Sequence, residues 1–180
     1  METKVFFTNL QKIISDEIDN ASSEIIIAVA WFTDEYLLNL LLNKAKNGID
    51  VKIIIYDDNI NNKNLFLKLH QAGQKIYLSK KLMHNKFCII DRKTVINGSY
   101  NWTNSARYND ENLQVSYNNP TLATEFFIQF NKLAEGTRSI APFFIDIELE
   151  FNNLLAGLCL PKFPAVISYR EQEYTIIKCE

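Results

Sequence analysis

A histidine and a lysine two positions apart, His84 and Lys86, open the part of this sequence with the clearest chemical content. Side chains two residues apart on a β-strand share a face, so an imidazole and an ammonium would project side by side. A fixed cation on the nonbridging oxygens of a phosphodiester offsets the negative charge that repels nucleophiles. A neutral imidazole can then attack phosphorus directly. The pair predicts phosphodiester cleavage through a phosphohistidine intermediate, with no metal or other cofactor required.

Further polar side chains follow this pair in the chain. Ser99 and Asn101 come at the end of a predicted strand and can donate hydrogen bonds to a phosphate. Glu111 is the candidate for fixing the tautomer of the imidazole through its other ring nitrogen. Asp91 is better suited to bracing the local turn or pairing with a cation. The predicted site residues are His84, Lys86, Asp91, Ser99, Asn101 and Glu111.

The spacing of these residues follows a known pattern: His-x-Lys, four residues, Asp, six residues, Gly-Ser-x-Asn, and a downstream Glu-Asn. This order resembles the signature of the phospholipase D-like superfamily, and in particular its small single-motif members. Those members include bacterial endonucleases and the mitochondrial nuclease or cardiolipin hydrolase group. The resemblance implies that His84 is the nucleophile, Lys86 and Asn101 hold phosphate, Ser99 assists, Glu111 orients the imidazole and Asp91 has a supporting role.

Only one copy of the motif is present, whereas the active site of the family uses two. One histidine attacks phosphorus and the other protonates the leaving oxygen. The resemblance therefore implies a homodimer in which the His84 side chains of two chains meet across a two-fold axis.

Strand and helix patterns alternate through residues 4 to 135 and predict an α/β fold. We expect a phospholipase D-like sandwich whose mixed, largely parallel β-sheet is flanked by helices, with a helix from about Tyr100 before the last strand. Residues 1–135 form the predicted catalytic domain. Residues 136–180 form a C-terminal appendage of unknown role, with a predicted amphipathic helix over 147–158 and a hairpin over 165–177.

The choice of substrate depends on local charge, because the formal net charge of the chain is only −2. Between residues 75 and 93, six cations oppose Asp91 alone; they are Lys75, Lys80, Lys81, Lys86, Arg92 and Lys93. This cluster favours a nucleic acid partner, DNA or RNA, and an endonuclease activity. Arg107 could add a clamp. Trp102 could add a stacking surface or pack in the core, and Trp31 could border the site or pack in the core. Two alternatives remain open: a phospholipid hydrolase and a catalytically silent nucleic-acid-binding scaffold.

The sequence shows no secretion signal and no apolar run near the roughly 20 residues that span a bilayer. The three cysteines, Cys88, Cys159 and Cys179, match no zinc-site spacing and are typical of free thiols in a reducing compartment. We therefore expect a cytoplasmic protein without stable membrane association.

Overall fold

The computed structural model describes residues 1–61 and 63–140, together with the backbone of residues 165–169 and 172–176. The chain divides into two compact units, Met1–Ala141 and Pro142–Glu180. The strands of the first unit are β1 (Glu2–Phe6), β2 (Glu24–Val29), β3 (Asp50–Tyr56), β4 (Lys75–Ser79), β5 (Lys86–Ile90), β6 (Thr94–Gly98), β7 (Leu113–Tyr117) and β8 (Thr137–Ser139). Its helices are α1 (Leu10–Asp19), α2 (Glu35–Lys46), α3 (Lys63–Gln71) and α4 (Pro120–Glu135).

The second unit contains an antiparallel pair of strands, β9 (Ala165–Tyr169) and β10 (Gln172–Ile176). This pair confirms the predicted hairpin. The helix predicted over 147–158 lies outside the described residues.

The first unit is built on one eight-stranded mixed sheet with the order β1-β7-β6-β5-β2-β3-β4-β8. The α/β sandwich is confirmed, but the expectation of a largely parallel sheet is wrong. Only β2 with β3 and β3 with β4 pair in parallel; the other neighbours are antiparallel. Parallel strands need a crossover of about a dozen residues or more. The links between β4 and β5 and between β5 and β6 are too short for that, so β5 to β7 form an antiparallel meander.

Two apolar layers cover the two faces of the sheet. Ile25 and Ile27 of β2 pack with helices α1 to α3 on one face, whereas Ile26 and Ala28 pack with α4 on the other. All four side chains are fully buried. Burial on both faces explains why β2 reads as a continuous apolar run without alternation.

The helix starts follow the capping residues in the sequence. The carboxylate of Asp34 accepts a hydrogen bond from Tyr36 N at 3.1 Å at the start of α2. Asn119 accepts one from Leu122 N at 3.1 Å, immediately before Pro120 at the first position of α4. These side chains fix where the two helices begin.

The prediction of a helix that begins at about Tyr100 is wrong. This segment is a loop that contains only a short 3-10 helix, Ser105–Tyr108. Tyr100 and Trp102 are buried, and Trp102 forms an isolated parallel bridge with Phe32 beside the end of β2. Tyr100 and Trp102 anchor this loop to the core, so Trp102 is a packing residue and not a stacking surface.

The last strand of the first unit, β8, lies beyond the predicted domain boundary at residue 135. β8 pairs with β4 and is an edge strand of the sheet, and the first unit extends to Ala141. Arg138 in β8 donates to Asp57 Oδ2 at 2.7 Å, which joins the strand to the loop after β3.

The carboxyl ends of β2, β3 and β4 lie at one edge of the sheet, because the three strands are parallel neighbours. Helices α2 and α3 begin at this edge, after β2 and β3, and α1 begins there after β1. Three helix N-termini therefore face the same edge, which favours anions. Among the residues with a described structure, no helix is both long enough and apolar enough to cross a bilayer.

Candidate active site

Five of the six predicted site residues, all except Asp91, lie in or next to one lateral row of backbone positions across five strands. The register pairs in this row are Val29 with Lys86, Gly98 with Leu113, and Leu113 with Phe6. The antiparallel pairing of β5 with β6 matches Phe87 with Asn97, so the next residues, Lys86 and Gly98, stand opposite each other and complete the row. Because neighbouring strands lie about 4.8 Å apart, residues just outside this row gather at the helix-rich edge of the sheet.

His84 and Lys86 lie side by side, as their spacing predicts. Lys86 Nζ is 3.2 Å from His84 Nε2 and 3.4 Å from His84 O. A protonated lysine can only donate, so the first contact requires a neutral imidazole with its lone pair on Nε2. Burial lowers the pKa of Lys86 below its usual value of 10.5, and the negative charge of Glu111 partly opposes that shift. The pair presents a nucleophilic nitrogen next to a cation.

Trp31 borders the site and does not simply fill the core. Its ring meets the imidazole of His84 edge-on, with centroids 5.4 Å apart and planes at 72°. Trp31 Nε1 donates to Asp58 Oδ2 at 2.8 Å, which fixes the indole. The indole limits the positions open to the exposed imidazole.

Asn61 holds the ends of β2 and β3 together beneath this contact. Its Nδ2 donates to Ala30 O at 2.9 Å and to Tyr56 O at 2.8 Å, and its Oδ1 accepts from Phe32 N at 2.8 Å. Asn61 and the rest of the loop after β3 were not among the predicted site residues. The position of this loop after a parallel strand was the available signal, since ligand sites form at the carboxyl ends of such strands.

Ser99 is clamped against the start of β7. Ser99 N donates to Asn112 Oδ1 at 3.0 Å, and Asn112 N donates to Ser99 Oγ at 3.0 Å. Ser99 Oγ in turn donates to Glu111 Oε2. A Cβ on Gly98 would lie 2.2 Å from Asn112 O, so only glycine allows this approach of β6 to the Asn112 backbone.

Glu111 was predicted to orient the imidazole. Its described hydrogen bonds are to Ser99 Oγ and to Asn109 Nδ2, the latter at 3.4 Å, and none is to His84 of the same chain. Its negative charge reaches Lys86, whose pKa it raises. The orienting role stays a prediction.

Two polar atoms near the site are buried and have no hydrogen-bond partner within the described part of the chain: Asn101 Oδ1 and Tyr100 Oη. Such atoms are rare in folded proteins and point to a function. Burial, with a contribution from Asp34, raises the pKa of Tyr100 to about 12. Its hydroxyl is therefore a hydrogen-bond donor at neutral pH.

Asp91 does not join the other five predicted site residues. It follows β5 at the opposite end from Lys86, about 16 Å away at about 3.3 Å per residue. Its carboxylate accepts hydrogen bonds from the backbone N–H and hydroxyl of both Ser22 and Ser23 and from Glu24 N, at 2.7 to 3.2 Å. Asp91 thus joins the β5–β6 turn to the start of β2.

The predicted basic cluster divides between the two ends of the sheet. Lys80 and Lys81 follow β4 and lie exposed at the same edge as Lys86. Lys75, Arg92 and Lys93 lie at the opposite edge, where Arg92 pairs with Glu24 and Lys93 lies 4.0 Å from Asp91 Oδ2. Half of the cluster therefore lies at the site edge. Within residues 1–61 and 63–140, no three His, Cys, Asp or Glu side chains are grouped to hold a metal ion.

Residues 14–134 match the family model described as "Cardiolipin synthase, PLD-like domain". The chain belongs to this phospholipase D-like family. The membership confirms the resemblance recognised from the motif, and the matched residues include the meander β5 to β7 and most of the flanking helices.

Relatives of this phospholipase D-like chain carry two kinds of name. It is 33% identical over 130 residues to the mitochondrial cardiolipin hydrolase of Chlamydomonas reinhardtii, covering 70% of this chain and 57% of that protein. It is 36% identical over 110 residues to a phospholipase D of Rickettsia bellii, covering 58% of this chain and 54% of that protein. The chain thus spans little more than half the length of either relative.

A solved structure shares the fold over most of the first unit. Nuc from Salmonella typhimurium, described as a phospholipase D family member, superposes with a TM-score of 0.70 at 25% identity. The match covers 77% of this chain and 97% of that one. The mixed α/β sandwich is therefore that of a phospholipase D family protein.

Proposed function

We propose that this protein is a phosphodiesterase that cleaves nucleic acid through a covalent intermediate on His84. The observation that carries the proposal is the 3.2 Å contact between Lys86 Nζ and His84 Nε2 at the helix-rich edge of the sheet. A phosphate placed there would take the ammonium on a nonbridging oxygen and present phosphorus to the imidazole nitrogen.

The reaction has two displacements at phosphorus. In the first, the Nε2 lone pair forms a P–N bond as the P–O bond to the leaving oxygen breaks, and that oxygen takes a proton from an acid. In the second, water attacks phosphorus and gives a proton to the conjugate base of that acid, the P–N bond breaks and the imidazole regains its lone pair. Lys86 and Asn101 hold the phosphate, Ser99 assists, and Glu111 fixes the imidazole tautomer.

The acid of the first step is proposed to be His84 of a second chain. One chain supplies one imidazole at this edge, and His84 is exposed next to Leu82, an apolar side chain that is 53% exposed. A two-fold axis through this surface would bring two such imidazoles to one phosphate. The active unit would then be a homodimer.

Nucleic acid is favoured over lipid by the chemistry around His84. Lys80 and Lys81 add positive charge at the same edge, and the aromatic rings of Phe7 and Tyr108 are 70% and 91% exposed. Cations with exposed aromatic rings are typical of surfaces that bind single strands. Phospholipid hydrolysis is the second candidate, because the relatives are named cardiolipin hydrolase and phospholipase D. The other alternative, a catalytically silent scaffold that binds nucleic acid, stays open. The cytoplasmic location of the protein stays a prediction.

The chemistry is tested by offering labelled single-stranded DNA, duplex DNA, single-stranded RNA and cardiolipin vesicles to the purified protein in EDTA. We expect cleavage of nucleic acid and its loss in His84→Ala. His70→Ala is the matched control, because His70 lies in α3 and its ring nitrogen bonds only locally to Gln74 O at 3.3 Å. Cleavage that survives in His84→Ala would refute the mechanism. Cleavage of cardiolipin vesicles alone would show that the substrate is a phospholipid and not nucleic acid.

The dimeric site is tested with heterodimers that carry two different affinity tags. A heterodimer of one wild-type and one His84→Ala chain contains a single imidazole at the axis, and it should be inactive. A heterodimer with one His70→Ala chain should keep full activity. Half-activity in the first heterodimer would show that each chain works alone.

A further inference from the structure

A cavity of about 220 Å³ lies beside the catalytic edge, at the N-terminus of α1. Its wall includes Phe7, Asn9, Gln11, Tyr100 and Arg107. Phe7 also lines an adjoining pocket with Ser99 and Glu111. Phe7, an exposed aromatic side chain, is therefore shared by the cavity and by the pocket that contains Ser99 and Glu111, two of the predicted site residues.

The start of α1 presents backbone donors to this cavity. Asn9 precedes the helix with a left-handed φ of 54°, and its side chain makes no capping hydrogen bond. The first intrahelical bond runs from Ile13 N to Asn9 O, so the N–H groups of Leu10, Gln11 and Lys12 have no partner within the helix. All three residues line the cavity, at the positive end of the helix dipole.

The hydroxyl of Tyr100 is an independent sign of a ligand. Tyr100 is 2% exposed, lines the cavity, and has no hydrogen-bond partner for its hydroxyl in the described residues. Burying a hydroxyl without a partner costs free energy. A ligand with an acceptor atom in the cavity would remove that cost.

Arg107 supplies a cation at the cavity. Its Nη2 donates to Asn104 Oδ1 at 2.6 Å and lies 3.5 Å from the buried Asp34 Oδ2. These contacts orient the guanidinium and offset part of its charge, but the group has five N–H donors and the side chain is 42% exposed. Lys12, also at the cavity, is paired with Asp16 at 2.6 Å. Together with the helix amides, Arg107 makes the cavity rich in donors.

We propose that this cavity binds a phosphate of a single-stranded polynucleotide that flanks the scissile phosphate, with an unpaired base stacked on Phe7. The amides of α1, the Tyr100 hydroxyl and Arg107 all donate, as a phosphate requires. A polynucleotide repeats a phosphate and an aromatic base, whereas a phospholipid offers no ring to Phe7. This inference rests on the proposed nuclease function and names part of the substrate.

The test measures equilibrium binding of a fluorescent single-stranded oligonucleotide to the full chain carrying His84→Asn, which prevents turnover. Arg107→Gln should weaken binding and reduce the slope of log affinity against log salt by about 0.7, the value for one phosphate contact on a single strand. Tyr100→Phe should weaken binding about 10-fold or more without changing that slope or lowering the melting temperature. Phe7→Ala should weaken binding about 5- to 100-fold, again with the slope unchanged.

Substituted oligonucleotides locate the contacts. When a neutral methylphosphonate replaces the phosphate that contacts Arg107, Arg107→Gln should no longer weaken binding. When the base that stacks on Phe7 is removed to leave an abasic site, Phe7→Ala should no longer weaken binding. Lys132→Gln and Ile128→Ala, two exposed positions in α4, are the matched controls and should leave binding unchanged.

The outcomes separate the two proposals. Tight binding that is unaffected by all three variants would overturn the flanking subsite and leave the nuclease function intact. Loss of affinity that does not depend on any single methylphosphonate or abasic position would also overturn it. Failure to bind oligonucleotide at all, with cleavage of cardiolipin by the wild-type chain, would overturn both.

Discussion

Asp91 is expected to stabilise the fold and to leave the chemistry untouched, although it belongs to the motif that identifies the family. The test is Asp91→Asn, because asparagine also tolerates the left-handed φ of 50° at this position. The amide keeps one oxygen facing Ser22 or Ser23 and turns an N–H₂ group toward the donors on the other side. About two hydrogen bonds to a charged acceptor are lost, at about 1.5–3 kcal/mol each. Because Ser22 and Ser23 are exposed and can bond to water instead, the cost lies at the low end, about 3 kcal/mol of unfolding free energy.

That loss is large against a typical stability of about 5–15 kcal/mol, so the variant should fold and melt about 5–10 °C lower. The assay is urea unfolding and thermal melting at pH 7, combined with turnover of a labelled oligonucleotide well below the melting temperature. Turnover per folded molecule should stay within about twofold of wild type, since Asp91 lies about 16 Å from Lys86. A fall of about 100-fold in turnover with an unchanged melting temperature would refute this reasoning.

The pH dependence of stability gives a second measure of the same contact. Burial alone would raise the pKa of Asp91, but the hydrogen bonds from Ser22 and Ser23 hold it well below its usual value of 3.8. The native state therefore binds fewer protons than the unfolded state, and the stabilisation is present above the unfolded pKa and lost as pH falls below about 4. Asp91→Asn should flatten this acid limb of the stability curve.

Two further predictions concern the site itself. Gly98→Ala should lower both the unfolding free energy and turnover, because its Cβ would lie 2.2 Å from Asn112 O; urea unfolding and oligonucleotide turnover measure the two effects. The burial of Lys86 should place the basic limb of the rate profile below pH 10.5, since activity requires the ammonium, and Lys86→Arg should move that limb to higher pH. If the basic limb of the rate profile stays at the same pH in Lys86→Arg, a group other than Lys86 is responsible for that limb.

Much of the fold follows from short-range patterns in the sequence. The apolar run from Glu24 to Phe32 predicts a buried strand, which the structure forms over Glu24–Val29. Asn119 with Pro120 predicts the start of α4, and this prediction is confirmed. The strand pairing was predicted less well. Periodicity records which face of an element is buried but not which strands are neighbours, so it could not place β5 beside β2.

The sequence predicted those parts of the candidate site in which reactive residues lie close together in the chain. His84, just before β5, lies next to Lys86 at the start of that strand, and the two-residue spacing that predicts this contact is local. The contact of Trp31 with His84 joins residues more than 50 positions apart, and no spacing rule reports it. Half of the basic cluster was misplaced because proximity in sequence was read as proximity in space, although β5 carries the chain from one edge of the sheet to the other.

The meander from β5 to β7 has a consequence for how the protein folds. The polar groups of the candidate site lie within 28 consecutive residues, 84 to 111, whereas β1 joins β7 through pairs such as Phe6 with Leu113, more than 100 residues apart. Closing the longer loop costs about 1 kcal/mol more in chain entropy. The end of the meander that holds the candidate site is therefore expected to form early. β1, which Phe7 follows directly, is expected to dock late and to complete the proposed binding surface.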